Sequence, residues 1–511
     1  MAFTDEFDVF SGIPNIPEFY KGKTILLTGG TGFLGKLLIE KLLYSCPDIK
    51  QIYVFIRDKR NVLPEKRLAA MYNNSCFERL QKEREGLFQA KVKAIAGNML
   101  DSNLGLSEED RVLVTTTTDI VIHSAASVRF DDYLKDAFDI NVMATLRLME
   151  LAKQMCNLKC YIHISTSFCN IKIDQAIEEK IYPPCADWRT IRDICDCEDS
   201  KTINALTPKL LGEYPNTYVF TKHLAEQAVV EHRGKLPIVI VRPSVVTGCL
   251  EEPAPGWVDN FNGPVGIAVA GAQGILRAMY GDKHAGQDYV PGDVVTKGIL
   301  IASWIRGTKK FQAHDDIAVY HACAGKENCV SLEYLRNVGV EVAPIVAYEN
   351  TFRPMSVVFI KSSRLLFQLC VLVTHVLPAI AADVVFRVLG KKPMLLKLQR
   401  RVVGANLAVE FFVMRPWVFN NDNFMKLLSE LDPRDRKQFS FTMDKLKSSE
   451  FVVNTGLRAR KDLLHQDEKS IKKWRTIYEW EVIIDRTLTF ILYACVSWWI
   501  VNTVASWYLS V

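Results

Sequence analysis

The sequence predicts an α/β protein: a doubly wound parallel sheet first, then a second, mostly helical C-terminal domain, and finally a C-terminal transmembrane helix. Three observations carry that prediction. From Lys23 onward short β-branched runs alternate with longer helical patterns. A glycine-rich loop joins the first strand pattern to the first helix, and the last stretch, Leu488 to Ser510, holds no charge.

Taken in order, "KTILLTG", "QIYVFIR", "KAIAG", "DIVIHSA", "CYIHIST" and "PIVIVRPS" read as strands. Helical patterns lie between them, in "FLGKLLIEKLLYSC", in "DAFDINVMATLRLMELAKQM" and in the segment that opens at Tyr218. Strands that are apolar on both faces and alternate with helices belong to a parallel sheet covered on both sides. After Trp257 the pattern gives way to Gly- and Pro-bearing loops, where such a fold places its substrate elements. A second unit begins near Pro354. Its apolar stretch "SSRLLFQLCVLVTHVLPAIAADVVFRVLG" is broken by Gln368, Thr374, His375, Pro378 and Asp383, so a buried or half-inserted helical hairpin is expected there instead of a simple span. His375 is expected to be a satisfied core histidine. The resulting division is an N-terminal extension at 1–19, a cofactor-binding domain at 20–345, a linker at 346–355, a helical domain at 356–455, a basic linker at 456–486 and the tail at 487–510.

Charge and cysteine usage exclude several classes. The 511 residues carry 63 basic and 58 acidic side chains, which is no nucleic-acid footprint. The 13 cysteines are odd in number and mostly set in apolar runs, the usage of reduced thiols facing a cytosol. Cys185, Cys195 and Cys197 have no companion histidine, so no metal site is expected. The N-terminus is acidic and lacks the basic and apolar regions of a signal peptide. At the other end, Leu488 to Ser510 extends roughly 34 Å as a helix, enough for a hydrocarbon core of about 30 Å. Trp498, Trp499, Trp507 and Tyr508 suit its interfaces, and the basic "HQDEKSIKKWR" before it suits the cytosolic side.

The chemistry concentrates at three places. In "TGGTGFLG", Gly29 permits a tight turn, Gly32 lets backbone approach a pyrophosphate, and Gly35 lets the helix pack on the strand, as a dinucleotide-binding Rossmann domain requires. The second strand ends in "FIRDKR", where Arg57 with Lys59 or Arg60 offers positive charge to a ribose 2′-phosphate; NADPH is therefore the expected cofactor. Finally, "PNTYVFTKHLAEQ" sets Tyr218 and Lys222 four residues apart on one helical face. Ser165 and Thr166, at the end of the fifth strand, lie some fifty residues earlier and should share the same crevice. A hydroxyl, a phenol and an ammonium can then converge on one substrate carbonyl, with Lys222 lowering the Tyr218 pKa by proximity.

"TGGTGFLG", "HSAAS", "ISTS" and "YVFTK" together resemble the extended short-chain dehydrogenase/reductases. "PNTYVFTKHLAE", "IVRPSVV", "EEPAPGWVDNFNGP" and "KGKTILLTGGTGFLGKLLIEKLL" resemble the fatty acyl-CoA reductases, also called male-sterility domain proteins, over nearly the entire chain. The resemblance implies two-step reduction of a long-chain acyl-CoA to a primary alcohol with NADPH. It implies Tyr218 and Lys222 as the catalytic pair and Thr166, before Ser165, as the hydroxyl on the carbonyl oxygen. It assigns Gly29, Thr31, Gly32, Phe33, Leu34 and Gly35 to the phosphate loop and Arg57 with Lys59 to the 2′-phosphate. Asn98 stands where relatives usually carry Asp near the adenine, and Phe168 replaces a common Tyr. Trp257, Phe261 and the unit after Pro354 are candidate walls of an acyl slot. The implied location is a peroxisomal or endoplasmic reticulum membrane, held by the tail with the catalytic domain in the cytosol. Two other readings compete: a membrane-attached reductase of sterols or nucleotide sugars, and a catalytically silent scaffold that only binds the cofactor.

Overall fold

A computed structural model of the chain describes residues 12–58, 62–171, 175–308 and 316–510. Its contacts divide it into two units built from separated segments. One comprises Met1–Val258, Gly286–Val330 and Pro416–Lys447; the other comprises Asp259–Ala285, Ser331–Arg415 and Ser448–Val511. The contiguous division at 20–345 and 356–455 is thus replaced by an interleaved one, because packing partners and not chain order define a unit.

The first unit is built on seven parallel strands: β1 (Thr24–Thr28), β2 (Gln51–Ile56), β3 (Val92–Ala96), β4 (Ile120–His123), β5 (Cys160–Ile164), β6 (Ile238–Pro243) and β7 (Ala318–Ala322). Their spatial order is β7-β6-β5-β4-β1-β2-β3. All six expected strands are present. The edge strand β7, "AVYHA", interrupts its apolar run with His321, and it is not legible as a strand in the sequence. Residues of β1, β4 and β5 are buried on both faces, as the continuous apolar runs require. One face packs Leu26, Val121 and Tyr161 against Leu148, Leu151 and Val229. Helix α1 (Phe33–Ser45) follows β1. Helix α2 spans residues 134–152 and carries a π turn at Asp139–Met143. Helix α3 (Thr217–His232) is capped by Asn216, whose side chain accepts the Val219 N–H. The strand order reverses between β2-β1 and β4-β5, which places a crevice at the carboxyl ends of β1 and β4.

The second unit pairs two short parallel strands, Ala278–Tyr280 and Val358–Ile360, and surrounds them with helices. These are α4 (Leu332–Val346), α5 (Arg364–Val388, with a π turn at Leu372–Val376), α6 (Leu395–Ala408) and α7 (Ile471–Ser510). His375 is the satisfied core histidine that the sequence suggested. Its Nε2 accepts the backbone N–H groups of Arg277 and Ala278 at 3.1 and 3.0 Å, and its Nδ1 meets Gln399 Oε1 at 2.7 Å. The stretch at 456–486 is no loose linker. Arg460 donates to the carbonyls of Val346 and Asp467, Tyr478 Oη accepts the Met355 N–H at 3.1 Å, and Asp485 pairs with Arg353 at 2.8 Å. Among the described residues, two helices are long and apolar enough to cross a membrane, Arg364–Val388 and the Glu468–Ser506 segment.

Candidate active site

The phosphate loop lies where β1 ends. Gly29 has φ +71°, and a Cβ there would lie 2.7 Å from the Ala125 nitrogen. At Gly35 a Cβ would meet the Gly29 carbonyl oxygen at 2.3 Å, so helix and strand approach as only glycine allows. Gly32 is exposed at the crest and caps α1 with no side-chain hydrogen bond. Bare N–H groups at a helix start suit a pyrophosphate. Beside the loop, Thr31, Lys36, Arg67, Asn73 and Asn74 line a cavity of ≈ 510 Å³. The residues present therefore fit a dinucleotide.

The cationic part of that cavity differs from the sequence reading. Arg57 is exposed at the end of β2, and its carbonyl accepts from Arg67 Nη1. Arg67 and Lys36, which sequence reasoning missed, are the cations that line the cavity. Lys59 lies outside the described residues. Asn98 is half-buried and occupied locally: Nδ2 donates to Asp101 at 2.9 Å, and Oδ1 accepts the Leu100 N–H at 3.3 Å.

Tyr218, Lys222 and Thr166 converge at the far side of the crevice. The Thr166 hydroxyl oxygen accepts the Phe168 N–H at 3.3 Å, and this hydroxyl is a hydrogen-bond partner of the Tyr218 phenol. Ser165, one residue earlier, has its hydroxyl buried within reach of Glu226 and Cys169 without a well-formed hydrogen bond. Successive residues of an extended chain point to opposite sides, which separates the two hydroxyls. Desolvation pushes the Tyr218 phenol up to about 12, and the Thr166 hydroxyl draws it partly back. Phe130 stacks against its ring at 5.9 Å.

Lys222 does not act as expected on the phenol. Its Nζ donates to the Ile164 carbonyl at 2.6 Å, and burial lowers its own pKa to about 8, opposed by the Glu226 carboxylate. Tyr218 thus keeps its proton over the whole neutral range, while the lysine is the group that titrates. Turnover is accordingly expected to fall as pH rises through about 8, where the ammonium is lost, with the phenol still protonated. A kcat profile that stays flat well above that pH would show that the charge of Lys222 is not needed.

Behind these groups lies a continuous polar network. Thr28 Oγ1 meets His123 Nδ1 at 2.8 Å, His123 Nε2 meets Thr145 Oγ1 at 2.9 Å, and Thr145 donates to the Asn141 carbonyl at 2.7 Å. Asn141, inside the π turn of α2, donates to Thr221 Oγ1 at 2.9 Å and accepts the Ser127 N–H at 2.9 Å. Burial and the nearby Lys222 push the His123 pKa down to about 3, so it serves as a neutral link. The network ties β1, β4, α2 and α3 together and so fixes the helix of Tyr218 to the strand that leads into the phosphate loop. Deeper still, Arg242 Nε and Nη2 bind the two Glu226 oxygens at 2.9 and 2.6 Å. Thr28, His123, Thr221 and Arg242 lie inside the quoted motifs, but nothing in those motifs tells which partner each side chain meets. Trp257 does not line a slot: it is fully buried, stacked on Phe33 at 5.0 Å, with Nε1 donating to Ser75 at 3.0 Å. Phe168 is buried edge-on against Trp417 and Phe419, each at 5.1 Å.

A glycine loop at the switch point of a parallel sheet, with a phenol, a hydroxyl and an ammonium beside it, defines an oxidoreductase that uses a nicotinamide cofactor. Residues 27–299 match a family described as male sterility protein, and residues 374–466 match a second family of the same description. Fatty acyl-CoA reductase 1 of Mus musculus is 38% identical over 455 residues, covering 89% of this chain and 87% of that protein. Fatty acyl-CoA reductase 2 of Bos taurus is 35% identical over 456 residues, with the same coverage of 89% and 87%. The chain belongs to the fatty acyl-CoA reductase family. In fold it is similar to the terminal reductase domain of the myxalamid biosynthetic pathway, at TM-score 0.56 and 20% identity, covering 87% of this chain and 91% of that one. A nonribosomal peptide synthetase reductase domain from Mycobacterium tuberculosis gives TM-score 0.56 at 18% identity, covering 91% and 96%.

Proposed function

We propose that this enzyme reduces a long-chain fatty acyl-CoA to the primary alcohol in two successive reductions in one site, with NADPH as reductant. The observation that carries the reading is the convergence of the Thr166 hydroxyl and the Tyr218 phenol past the carboxyl end of β5, in the sheet whose β1 leads into the glycine loop. When bound, the nicotinamide supplies the hydride. Thr166 turns its proton, which rests on the Pro243 carbonyl at 3.5 Å, toward the thioester carbonyl oxygen, while its hydroxyl oxygen keeps the Phe168 N–H. Tyr218 donates to the same oxygen as negative charge develops there and protonates it. Lys222, held by the Ile164 carbonyl, keeps a positive charge beneath the phenol. Collapse of the hemithioacetal returns that proton to the Tyr218 phenolate, releases CoA thiolate and leaves an aldehyde. The same hydroxyl and phenol then serve the aldehyde oxygen, which ends as the alcohol. The names of the relatives support the acyl-CoA substrate over a sterol or a nucleotide sugar. Retention of Tyr218, Lys222 and Thr166 speaks against a silent scaffold.

Purified protein incubated with NADPH and palmitoyl-CoA should consume the nicotinamide absorbance and yield hexadecanol. Aldehyde as the sole product, or no consumption, would overturn the reading. For the cofactor, Arg67→Ala and Arg57→Ala should each weaken NADPH binding more than NADH binding. Loss of one hydrogen bond to a charged group is worth about 1.5–3 kcal/mol, roughly 10- to 100-fold. Equal losses for both cofactors, measured by titration of the free enzyme, would make these arginines structural. The uncharged run after Leu488 supports a tail anchor with the catalytic unit on the cytosolic side, in a peroxisomal or endoplasmic reticulum membrane.

A further inference from the structure

Helix α5 is long enough to span a bilayer, about 37 Å at 1.5 Å per residue, yet its two sides are unlike. Phe367, Val371, His375 and Ala379 are buried against the second unit. Phe367 packs on Tyr280 at 5.3 Å, and His375 takes the backbone N–H groups of Arg277 and Ala278. Nearer the C-terminal end, Asp383 accepts the N–H groups of Met394, Leu395 and Leu396 and so caps α6. The folded unit therefore accompanies α5 over most of its length. A polar body of that kind is costly to carry into the hydrocarbon region, which argues against a span. The opposite side is apolar and open: Leu369, Val373, Leu377, Ile380, Val384 and Val388 are all exposed, Val373 by 60% and Val388 by 81%. Such a stripe is far more than scattered surface hydrophobics.

Two further observations name what covers it. Between Asp383 and Glu410 the chain carries Arg387, Lys391, Lys392, Lys397, Arg400 and Arg401 and no acidic residue, and all six are exposed. In addition, α7 is clamped to the same unit as far as Asp485, which pairs with Arg353, only three residues before the uncharged run begins at Leu488. If that run enters a bilayer, the unit rests at its surface with no slack. We infer that α5 lies in the plane of that surface, its open stripe sunk to the acyl boundary and the basic residues from Arg387 to Arg401 set among anionic headgroups. The enzyme would then be a two-point membrane protein, held by a tail and pressed down by α5. The inference rests on the tail reading above, and the test separates the two.

Full-length protein reconstituted into phosphatidylcholine–phosphatidylserine vesicles carrying a photoactivatable acyl chain should acquire adducts in two places, located by peptide mass spectrometry. One is the tail. The other is α5, with several-fold more adduct at Leu369, Val373, Leu377, Ile380 and Val384 than at Phe367, Val371 or Ala379. Adducts in the tail with α5 unlabelled would overturn the inference and leave the tail reading standing. Labelled α5 with an unlabelled tail would do the reverse. Equal labelling around α5 would mean a span and would also overturn the inference, as would a stripe covered by a second copy of the chain. Val373→Asp combined with Ile380→Asp should lose the α5 adducts while keeping those in the tail and leaving NADPH binding unchanged; persistence of the α5 adducts would count against docking through this stripe.

Discussion

Replacing Tyr218 with Phe is expected to lower alcohol formation about 100- to 10,000-fold, the usual contribution of a positioned general acid, while NADPH affinity stays within a few-fold. The ring is kept, so its stacking on Phe130 at 5.9 Å survives and only the proton donor is removed. The loss should appear in kcat more than in KM, because the phenol is most valuable when charge develops on the substrate oxygen. The alkaline limb of the residual rate should stay where it is, since it belongs to Lys222, whose pKa lies at about 8. Turnover within a few-fold of the parent would remove Tyr218 from the mechanism.

The second large effect is expected from the buried pair beneath the site. Arg242 is fully buried, and Glu226 meets it in two hydrogen bonds of 2.9 and 2.6 Å. Burial alone would raise the Glu226 pKa, but Arg242 outweighs it and holds the carboxyl at about 2, against an ordinary 4.5. A carboxyl whose folded pKa is depressed stabilises the fold above its unfolded pKa and loses that contribution as pH falls through the folded value. This stabilisation is thus present above about 4.5 and decays towards about 2. Glu226→Gln keeps the shape and removes the charge, leaving Arg242 uncompensated, which typically costs about 3–5 kcal/mol. The unfolding transition of the variant should shift to lower temperature. Glu226 also supports the charge on Lys222, so the alkaline limb of kcat should move below about 8 in the same variant. An unfolding loss without that pH shift would confine Glu226 to a structural role; no loss at all would show the pair to be dispensable.

Much of this site is legible in the sequence alone. The glycine spacing in "TGGTGFLG" reports backbone geometry that no other residue tolerates, as the 2.3 Å approach at Gly35 shows. The Tyr218–Lys222 spacing is a property of any helix. His375 reads as a core residue because an apolar run surrounds it. What cannot be read is what each of these side chains meets. Lys222 is expected from its spacing to act on the phenol four residues away; instead it donates to the carbonyl of Ile164, which lies 58 positions earlier in the chain.

Local signals thus determined the class of this protein: alternating strand and helix patterns, a phosphate loop, a phenol and an ammonium on one helix face, and an uncharged run at Leu488 to Ser510. Each depends on periodicity or backbone geometry within about twenty residues, which a local stretch of sequence can encode. Only the tertiary structure decided that Thr166 bonds the Tyr218 phenol itself, that Lys36 and Arg67 line the cavity beside the glycine loop, and that the two units interleave along the chain. The physical reason is the same in every case. A pKa, a hydrogen-bond partner or an exposed face is set by neighbours brought together from distant segments, such as Glu226 with Arg242 or Asp383 with Leu396. Desolvation by those neighbours then fixes which group in the site keeps its proton.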